Sequence, residues 1–404
     1  MKGENLFKIE VVKSIEKFEN WLSEYGPYSY DRMDYWSSET GILAKKLFYK
    51  SKILGAPLAI WGLILENFLP SFQKLYAQPS RQSIGDAHYA LAFLNLYEIN
   101  NDEIYLRKAE KYLKALKESL NKTNSGAGWG YSFGWQTHSG FWEAGVPLIT
   151  ISPYGFWAFK KHFELTGKED SKDVALKVAI FARDDLNKTS MSNGTICSSY
   201  SPVGKDIIIN ANSYRAAVLI GAYELTSDRS FFEEAQESLS FVLSYQGPKG
   251  EWYYEAKGKK NNFIDNFHTC FVIRNLFFCY KITGDEELKK AIANGYDFYT
   301  KNLFYENKRP KHFAVSKYFK MRKYEMYDYA EGIKLGVYLK DEFENAFIRS
   351  QFLAKDLIKN YQTKKGYFIT RVTSLGTQHS IPYHRWPQAQ LFFALTLLNK
   401  ELQK

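Results

Sequence analysis

The sequence of 404 residues predicts an all-α protein, an (α/α)6 toroid of six helical hairpins. Three observations predict this fold. A five-residue phrase recurs along the chain, the segment before each phrase is apolar on nearly every side, and the segment after it is amphipathic. A repeated pair of this kind is typical of an inner helix covered by an outer helix.

The recurring phrase begins with an aromatic residue and ends in a short polar or glycine-containing turn. Its four clear copies begin at Tyr97, Phe163, Tyr223 and Tyr280, which are 66, 60 and 57 residues apart. A further step of 58 residues reaches Tyr338, and another reaches Thr396, each within an apolar run. Six units therefore fill the chain.

Each phrase closes one helix and opens the next. In Thr283-Gly284-Asp285, the glycine suits the position after a helix C-terminus and the aspartate suits an N-cap. We expect inner helices near 86–98, 152–165, 211–225, 266–282, 327–339 and 386–399. We expect outer helices near 57–78, 102–120, 170–187, 229–246, 285–302 and 341–360.

The long connections all run from an outer helix to the next inner helix. They are 121–151, 188–210, 247–264, 303–326 and 361–385, and they are rich in Trp and Tyr. Long loops on a rigid scaffold commonly carry binding residues. The sequence therefore predicts a functional face at the N-termini of the inner helices, with an open superhelix of the same hairpins as the alternative to a closed ring.

No linker interrupts the repeat, so we expect one toroid domain over 57–404 and an N-terminal extension over 1–56 packed on it. The three cysteines show neither a disulfide framework nor a zinc pattern, and no metal site or cofactor is expected. Residues 1–21 lack an apolar signal core, so a cytoplasmic location is expected. The apolar stretch Ala56 to Leu65 is too short to span a bilayer, and it predicts a buried helix or peripheral membrane contact.

The formal net charge of +10 favours an anionic partner such as an acidic glycan, with a solvated basic surface as the alternative. Nucleic acid is not expected, because the lysines are scattered and no recognition motif appears. The sequence does not indicate an oligomeric state.

A candidate acid/base group opens the fourth inner helix. Asp265, Asn266 and His268 place a carboxylate, an amide and an imidazole within four residues. His268 lies one turn after Asp265, on the same helical face. Asp265 or Asn266 as a simple N-cap is the alternative.

A loop of alternating glycine and aromatic residues precedes the second inner helix. Aromatic rings pack on the C–H faces of sugars, so Trp129, Tyr131 and Trp135 are candidate sugar-binding residues together with His138. A hydrophobic plug is the alternative for the rings. Glu143 is the candidate catalytic carboxylate of this loop, unless it is a surface residue.

Polar residues recur at the other inner-helix N-termini and in the other long loops. Arg385 is placed to meet a carboxylate or phosphate, unless it forms a structural salt bridge. Each of the remaining polar residues is individually consistent with a helix cap. The further candidates are Asp86 for catalysis and Tyr200, Asn210, Asn212, Trp252, Asp328 and Tyr383 for substrate binding.

One motif points to a different class of enzyme. Residues Gln246 to Trp252 match the Gln-x-x-x-Gly-x-Trp motif of triterpene cyclases. The acidic motifs of those enzymes do not accompany this single copy. A terpene cyclase is therefore a less favoured interpretation.

The order of these motifs resembles a family of toroid proteins encoded in bacterial and archaeal exopolysaccharide biosynthesis clusters. The resemblance covers about 80–400 and rests on Phe263 to Thr269, Thr283-Gly284-Asp285, Asn302-Leu303-Phe304 and Pro382 to Ala389. It implies a setting in cell-surface polysaccharide production. Before the fifth inner helix the chain departs from the Tyr-Pro-x-Asp-x-His pattern of that family, and of its polar positions only Asp328 remains.

Six-hairpin toroids include glycoside hydrolases, unsaturated-glucuronyl hydrolases, polysaccharide lyases and sugar 2-epimerases, so the fold alone does not select a reaction. Asp265 with Asp86 or Glu143 would serve hydrolysis, which is the first expectation. His268 with Tyr200 and Arg385 would serve a uronate-directed lyase or epimerase. A non-catalytic glycan-binding or scaffold protein of an export complex is the third possibility.

Overall fold

The computed structural model describes residues 2–137, 140–258, 262–316 and 321–404. The helices are α1 Lys2–Tyr25, α2 Asp34–Ser37, α3 Glu39–Lys50, α4 Lys52–Phe68, α5 Ser83–Asn100, α6 Glu103–Glu118, α7 Ser152–Thr166, α8 Glu169–Asp184, α9 Ile209–Thr226, α10 Arg229–Ser244, α11 Asn266–Thr283, α12 Glu286–Asn302, α13 Met326–Tyr338, α14 Glu344–Tyr361 and α15 Ala389–Gln403. A 3₁₀ turn, Pro70–Leu75, follows α4, and a π turn, His384–Gln388, precedes α15.

Six inner helices form a closed ring, which confirms the predicted (α/α)6 toroid. In order around the ring they are α5, α7, α9, α11, α13 and α15, and α15 packs back on α5. The contact between α15 and α5 excludes the open superhelix. Each inner helix is buried on nearly all sides, as its apolar sequence predicts.

The recurring phrase forms the tight turn from an inner helix to its outer partner. Asn101, Gly167, Ser227 and Gly284 follow the inner helices in the left-handed conformation. Asp102, Asp228 and Asp285 then cap the outer helices by accepting hydrogen bonds from backbone N–H groups two residues later. The predicted role of the phrase is confirmed.

The first outer helix differs from the prediction. The helix near 57–78 was expected to be outer, but α4 packs on α2, α3 and the following 3₁₀ turn. The outer position beside α15 is filled by α1, which packs on α14 and α15. Phe18 of α1 is fully buried there and stacks on Phe392 of α15 with ring centroids 4.8 Å apart. The N-terminal helix thus closes the ring, because its apolar face covers an inner helix that otherwise has no outer partner.

The long connections contain short antiparallel strands. These are β1 Asn121–Lys122, β2 Ala127–Gly128, β3 Trp135–Gln136, β4 Phe141–Trp142, β5 Lys188–Ser190, β6 Ile196–Ser198, β7 Ile264–Asp265, β8 Phe313–Val315, β9 Arg322–Glu325, β10 Arg371–Thr373 and β11 Gln378–His379. They pair as β1-β2, β3-β4, β5-β6, β7-β8 and β11-β10-β9. The connections lie at the end of the ring formed by the inner-helix N-termini, as predicted.

Residues 26–82 form a layer over this end of the toroid, which we call the cap. Glu66 of α4 anchors it by accepting from Arg32 at 2.8 Å, from Arg371 at 3.2 Å and from Arg322 at 3.3 Å. Burial alone would raise the pKa of Glu66, but the three guanidinium groups hold it well below its usual range. The cap is therefore held to β9 and β10 by buried ion pairs. A division into folding units at residue 56 stays a prediction.

Among the residues that the structure describes, no group of His, Cys, Asp and Glu side chains could hold a metal ion. No helix in the described ranges is long and apolar enough to cross a membrane.

Candidate active site

A cavity of about 450 Å³ opens at the inner-helix N-termini, beneath the cap. We call it the upper cavity. Its wall includes six of the residues that the sequence singled out, and they come from separate loops and helices. These are Tyr131, Trp135, Tyr200, Asn210, His268 and Arg385.

The acid/base candidate of this cavity is a pair formed by Asp265 and His268. Nδ1 of His268 lies 2.7 Å from Oδ2 and 2.9 Å from Oδ1 of Asp265, whose Oδ1 also accepts from the His268 backbone N–H at 3.0 Å. Asp265 is buried, whereas about a fifth of the His268 side chain is exposed. Since a carboxylate only accepts, Nδ1 carries the proton, and Nε2 is free to exchange a proton with a ligand.

Aromatic rings surround the imidazole of His268. The Phe267 ring centroid is 4.2 Å away and that of Tyr254 is 4.7 Å away. Tyr327 and Trp386 stack at 4.1 Å with an interplanar angle of 11°. Burial raises the pKa of Tyr254, so its hydroxyl stays protonated. Flat ring faces of this kind suit the C–H faces of a sugar.

Arg385 faces the upper cavity but already has an anionic partner. Its Nε and Nη2 donate to the two carboxylate oxygens of Asp31, at 2.6 Å and 2.5 Å. This fork leaves Nη1 as the guanidinium nitrogen that Asp31 does not engage. The sequence interpretation of Arg385 as either a ligand contact or a structural ion pair is thus resolved in favour of an ion pair that also lines the cavity.

Two titratable groups of the cap lie behind the cavity wall, Lys45 against Trp135 and Asp34 beside the Asp31 partner of Arg385. Burial and the neighbouring Asp31 carboxylate raise the pKa of Asp34 to about 7. Burial lowers the pKa of Lys45, whose ammonium lies 3.1 Å from the ring centroid of Trp135, to about 7. Both groups therefore change charge near neutral pH.

Two tryptophans predicted to bind sugar are structural, which corrects those predictions. Trp129 and Trp252 are buried, and their indole N–H groups donate to Leu116 O at 2.8 Å and Val242 O at 2.9 Å. Each ring thus satisfies a carbonyl in the last turn of an outer helix. The hydrophobic-plug alternative therefore holds for Trp129. The cyclase-like motif around Trp252 is also structural, because Gln246 Nε2 donates to Gly250 O and Ala291 O.

Two asparagines predicted to bind substrate instead hold loops. Asn212 exchanges hydrogen bonds with both backbone groups of Ser198, at 2.9 Å and 3.1 Å. The Asn266 amide donates to Leu303 O at 3.0 Å and Lys311 O at 3.3 Å. Both side chains are fully buried. Their hydrogen bonds are used within the protein, and neither residue lines the upper cavity.

Asn210 differs from Asn212, although it is only two residues away. It lines the upper cavity, and its side-chain Oδ1 is buried without a hydrogen-bond partner among the described residues. An orphaned amide oxygen at a cavity wall is available to a ligand hydroxyl.

The carboxylates predicted to act with Asp265 do not reach the cavity. Asp86 is buried and accepts from Arg81 Nε at 2.9 Å and 3.1 Å, and burial raises its pKa to about 6. Glu143 is exposed and directly follows β4. Neither residue lines the upper cavity, which corrects the predicted hydrolytic pairs.

Asp328 and Tyr383 are also buried outside the cavity wall. Asp328 pairs with His312 at 2.8 Å, and burial raises its pKa to about 6. The Tyr383 hydroxyl donates to Gln73 of the cap at 2.9 Å. Both are structural contacts rather than substrate contacts. His138 lies outside the described residues.

Several cavity residues were not identified from the sequence. They are Asp206, Tyr254, Glu255, Tyr327 and Trp386. Asp206, Tyr327 and Trp386 lie within three residues of an inner-helix N-terminus, and that position is the signal by which they could have been found. Tyr254 and Glu255 lie in the long connection before α11.

A second cavity of about 450 Å³ opens at the opposite end of the ring and is lined by the C-terminal halves of inner helices. Tyr154 lines both cavities. Beneath it, Arg274 and Lys334 both pair with the fully buried Glu331. This buried charge cluster adjoins the second cavity, which Arg274 lines.

The structure resembles solved toroid enzymes. An unsaturated glucuronyl hydrolase specific for heparin matches with a TM-score of 0.63 and 10% identity, over 98% of this chain and 97% of that chain. Cellobiose 2-epimerase from Bacillus thermoamylovorans matches with a TM-score of 0.61 and 12% identity, over 79% and 87%. A GH76 α-mannanase from Bacteroides thetaiotaomicron matches with a TM-score of 0.61 and 10% identity, over 92% and 99%.

No protein-family model and no curated protein matches the sequence. At identities of 10–12% the structural likeness shows the fold. The chain therefore has the (α/α)6 toroid fold that these hydrolases and the epimerase share.

Proposed function

We propose that this protein is a carbohydrate-active enzyme that binds an oligosaccharide in the upper cavity and uses His268 to transfer a proton on the sugar. The observation that carries the proposal is the Asp265–His268 pair facing an aromatic cavity. The proposed reaction class is epimerisation, in which a proton leaves a sugar carbon and is replaced. The shared fold of hydrolases and an epimerase supports a glycan substrate by analogy.

Proton transfer is favoured over hydrolysis by what the cavity brings together. His268, Tyr200 and Arg385 line one cavity, so a base, a hydroxyl and a cation surround the same space. The pairs expected for hydrolysis, Asp265 with Asp86 or Glu143, are not brought together. An imidazole oriented by a carboxylate is suited to removing a proton from a bound substrate.

Hydrolysis is the second candidate because two other carboxylates, Asp206 and Glu255, also line the upper cavity. A hydrolase needs one carboxyl group as an acid and another as a base or nucleophile. Hydrolysis adds an oxygen atom of water to the product, whereas the proposed proton transfer adds a solvent hydrogen to a carbon. Isotopic labelling of the water therefore distinguishes the two reactions.

The charges around the cavity favour a neutral sugar over an acidic one. Asp31 occupies two of the three nitrogens of Arg385, and the carboxylates of Asp206, Glu255 and Asp265 lie at or beside the wall. A uronate would meet these anions, and the described cation without an ion pair that lies next to the wall is Lys45, over the Trp135 ring. An acidic glycan is therefore the less favoured ligand in this proposal.

The test is incubation with a panel of neutral and uronate-containing oligosaccharides in D₂O and, separately, in H₂¹⁸O. We expect deuterium at a carbon of the product and no ¹⁸O, as observed by NMR and mass spectrometry. His268→Gln keeps the side-chain size but cannot transfer a proton, and we expect it to lose about 10²–10⁴ in rate. Glu143→Gln, which alters an exposed residue, is the matched control and should keep full activity.

Incorporation of ¹⁸O without deuterium would assign the hydrolase reaction instead. Binding of an oligosaccharide without turnover, unchanged in His268→Gln, would assign a non-catalytic glycan-binding protein. The setting that we propose is cytoplasmic and part of cell-surface polysaccharide metabolism. Its support is the sequence resemblance to proteins of exopolysaccharide clusters.

A further inference from the structure

The cap exposes an unusual concentration of large apolar side chains. Of the twenty-five such side chains that are exposed in the described ranges, thirteen lie between residues 43 and 76. They include Ile53, which is 86% exposed, and Leu75, which is 81% exposed. Scattered apolar side chains are normal on a protein surface, whereas a dense group in one segment marks an interaction surface.

Helix α4 shows the pattern most clearly. Only Gly55, Gly62, Leu65 and Asn67 of its seventeen residues are buried. The opposite face follows helical spacing through Ile53, Pro57, Ile60, Trp61 and Phe68, which are all exposed. A helix that faces water normally carries polar residues on this face. The exposed side chains on the outward face of α4 are instead apolar from Ile53 to Phe68, whereas Asn67 near its C-terminal end is buried.

We propose that the outward face of α3, α4 and the following 3₁₀ turn docks on the surface of an anionic lipid bilayer. This proposal does not depend on the reaction that the upper cavity performs. This surface lies within residues 39–75, which we call the docking face.

The composition of the docking face matches the interface between water and lipid. Trp61 and Tyr49 supply amphipathic rings, which concentrate at headgroup level. The exposed lysines Lys46, Lys50, Lys52 and Lys74 make no ion pair with any described residue. Apolar side chains bordered by lysines are the pattern of a helix that lies in the plane of an anionic membrane.

The dimensions fit a helix that lies on the bilayer rather than one that crosses it. The seventeen residues of α4 extend about 26 Å at 1.5 Å per residue, less than the roughly 30 Å of a hydrocarbon core. Glu66 in its last turn is held by three arginines of the toroid and the cap, which fixes that end to the protein.

A second copy of the chain fits this face less well than lipid does. A symmetric dimer places the same patch against itself, so lysines of one copy would oppose lysines of the other. Within 39–75 the only carboxylates are Glu39 and the ion-paired Glu66, so no acidic rim would balance them. Anionic headgroups supply the missing negative charge.

Docking would set the upper cavity close to the membrane surface. Tyr49 of α3 and Met33 before α2 belong to the cap and line the cavity. The same segment therefore carries both the docking face and part of the cavity wall. A substrate attached to a membrane lipid could reach such a cavity without leaving the bilayer.

The experiment is co-sedimentation of the full chain with phosphatidylcholine vesicles and with vesicles of equimolar phosphatidylcholine and phosphatidylglycerol. We expect binding to the second kind, weakened by salt because the lysines act through charge. The double variant Ile60→Ser/Trp61→Ser should lower binding at least about tenfold, since two apolar side chains no longer enter the interface. Lys50→Glu/Lys52→Glu should lower it by a similar factor.

The matched control is Ile348→Ser/Phe352→Ser, which removes two exposed apolar side chains from α14, away from the cap. It should bind vesicles like the unmodified chain, and circular dichroism should show all variants folded. Equal binding by the docking-face variants would overturn the proposal. A dimer in size-exclusion chromatography that Ile60→Ser/Trp61→Ser dissociates, with no vesicle binding, would overturn it in favour of a second copy.

Discussion

Asp265 makes two kinds of contact through one carboxylate. It caps α11 by accepting from the His268 backbone N–H at 3.0 Å, and it orients the His268 ring through Nδ1 at 2.7 Å. The sequence interpretation presented a cap and an acid/base group as alternatives. The structure shows that the cap geometry itself brings the imidazole to the carboxylate, because residues three apart share a helical face.

The substitution Asp265→Asn separates the two contacts. Asparagine caps a helix about as well as aspartate, so we expect the unfolding free energy to fall by less than about 1 kcal/mol. The charge that stabilises a protonated imidazole is lost, and turnover should fall about 10²–10⁴-fold. Thermal melts and turnover of the glycan identified in the isotope assay measure both. Full activity in this variant would leave Asp265 as a cap alone.

Asp86 gives a pH-dependent contribution to stability. Burial raises its pKa from 3.8 to about 6, so between about pH 4 and pH 6 the folded protein binds more protons than the unfolded chain. The free energy of unfolding therefore falls as pH rises through this interval, by up to about 3 kcal/mol from this group. In Asp86→Asn we expect that fall to disappear, as measured by urea unfolding across the interval. An unchanged slope would contradict the assignment.

Among the helices, one device repeats at the inner N-termini. A polar side chain near the start of the inner helix holds the preceding connection through backbone groups. Ser152 hydrogen-bonds both the N–H and the C=O of Trp129, at 2.9 Å and 3.1 Å. The side chain of Asn212 likewise hydrogen-bonds the N–H and C=O of Ser198, and that of Gln388 hydrogen-bonds the N–H and C=O of Phe368. Some of the polar residues that recur at the inner-helix N-termini thus hold the preceding loops in place.

The sequence could not separate clamp from cavity residues. Asn210 and Asn212 are about 200° apart around a helix, so one faces the cavity and the other faces the loop. An inner helix that is apolar on all sides has no polar face from which its rotation can be inferred. The helices and their caps follow from local pattern, whereas the choice between these two asparagines depends on how the helix sits in the ring.

The neighbouring pair gives a matched test of this distinction. Asn212→Ala leaves both backbone groups of Ser198 buried and without this partner, and should lower the unfolding free energy by about 2–3 kcal/mol. Asn210→Ala removes an amide whose Oδ1 has no partner among the described residues, so the unfolding free energy should change by less than about 1 kcal/mol. Denaturant unfolding of both variants measures the difference. Equal losses would contradict the clamp.

At the scale of the whole molecule, the sixth hairpin joins the two ends of the chain. Its inner helix is α15 and its outer helix is α1, which also packs on α14. The sequence predicted five outer helices from the repeat but placed the remaining one at 57–78, because α1 carries no copy of the phrase. The segment 26–82 is an insertion between the closing helix and the first inner helix, and the cap of the upper cavity is built from it.

This closure predicts that a change near the N-terminus weakens the entire ring. Phe18 is fully buried against Phe392, Phe368 and Trp21, so Phe18→Ala should lower the unfolding free energy by about 3–5 kcal/mol. Leu6→Ala in the same helix alters an exposed side chain and should cost less than about 0.5 kcal/mol. Because α15 completes the ring against α5, Phe18→Ala should lower the midpoint temperature of a single unfolding transition, seen by both far- and near-ultraviolet circular dichroism. If α1 were an appendage of a complete toroid, the main transition would not move, and only a small separate transition for the first helix would appear.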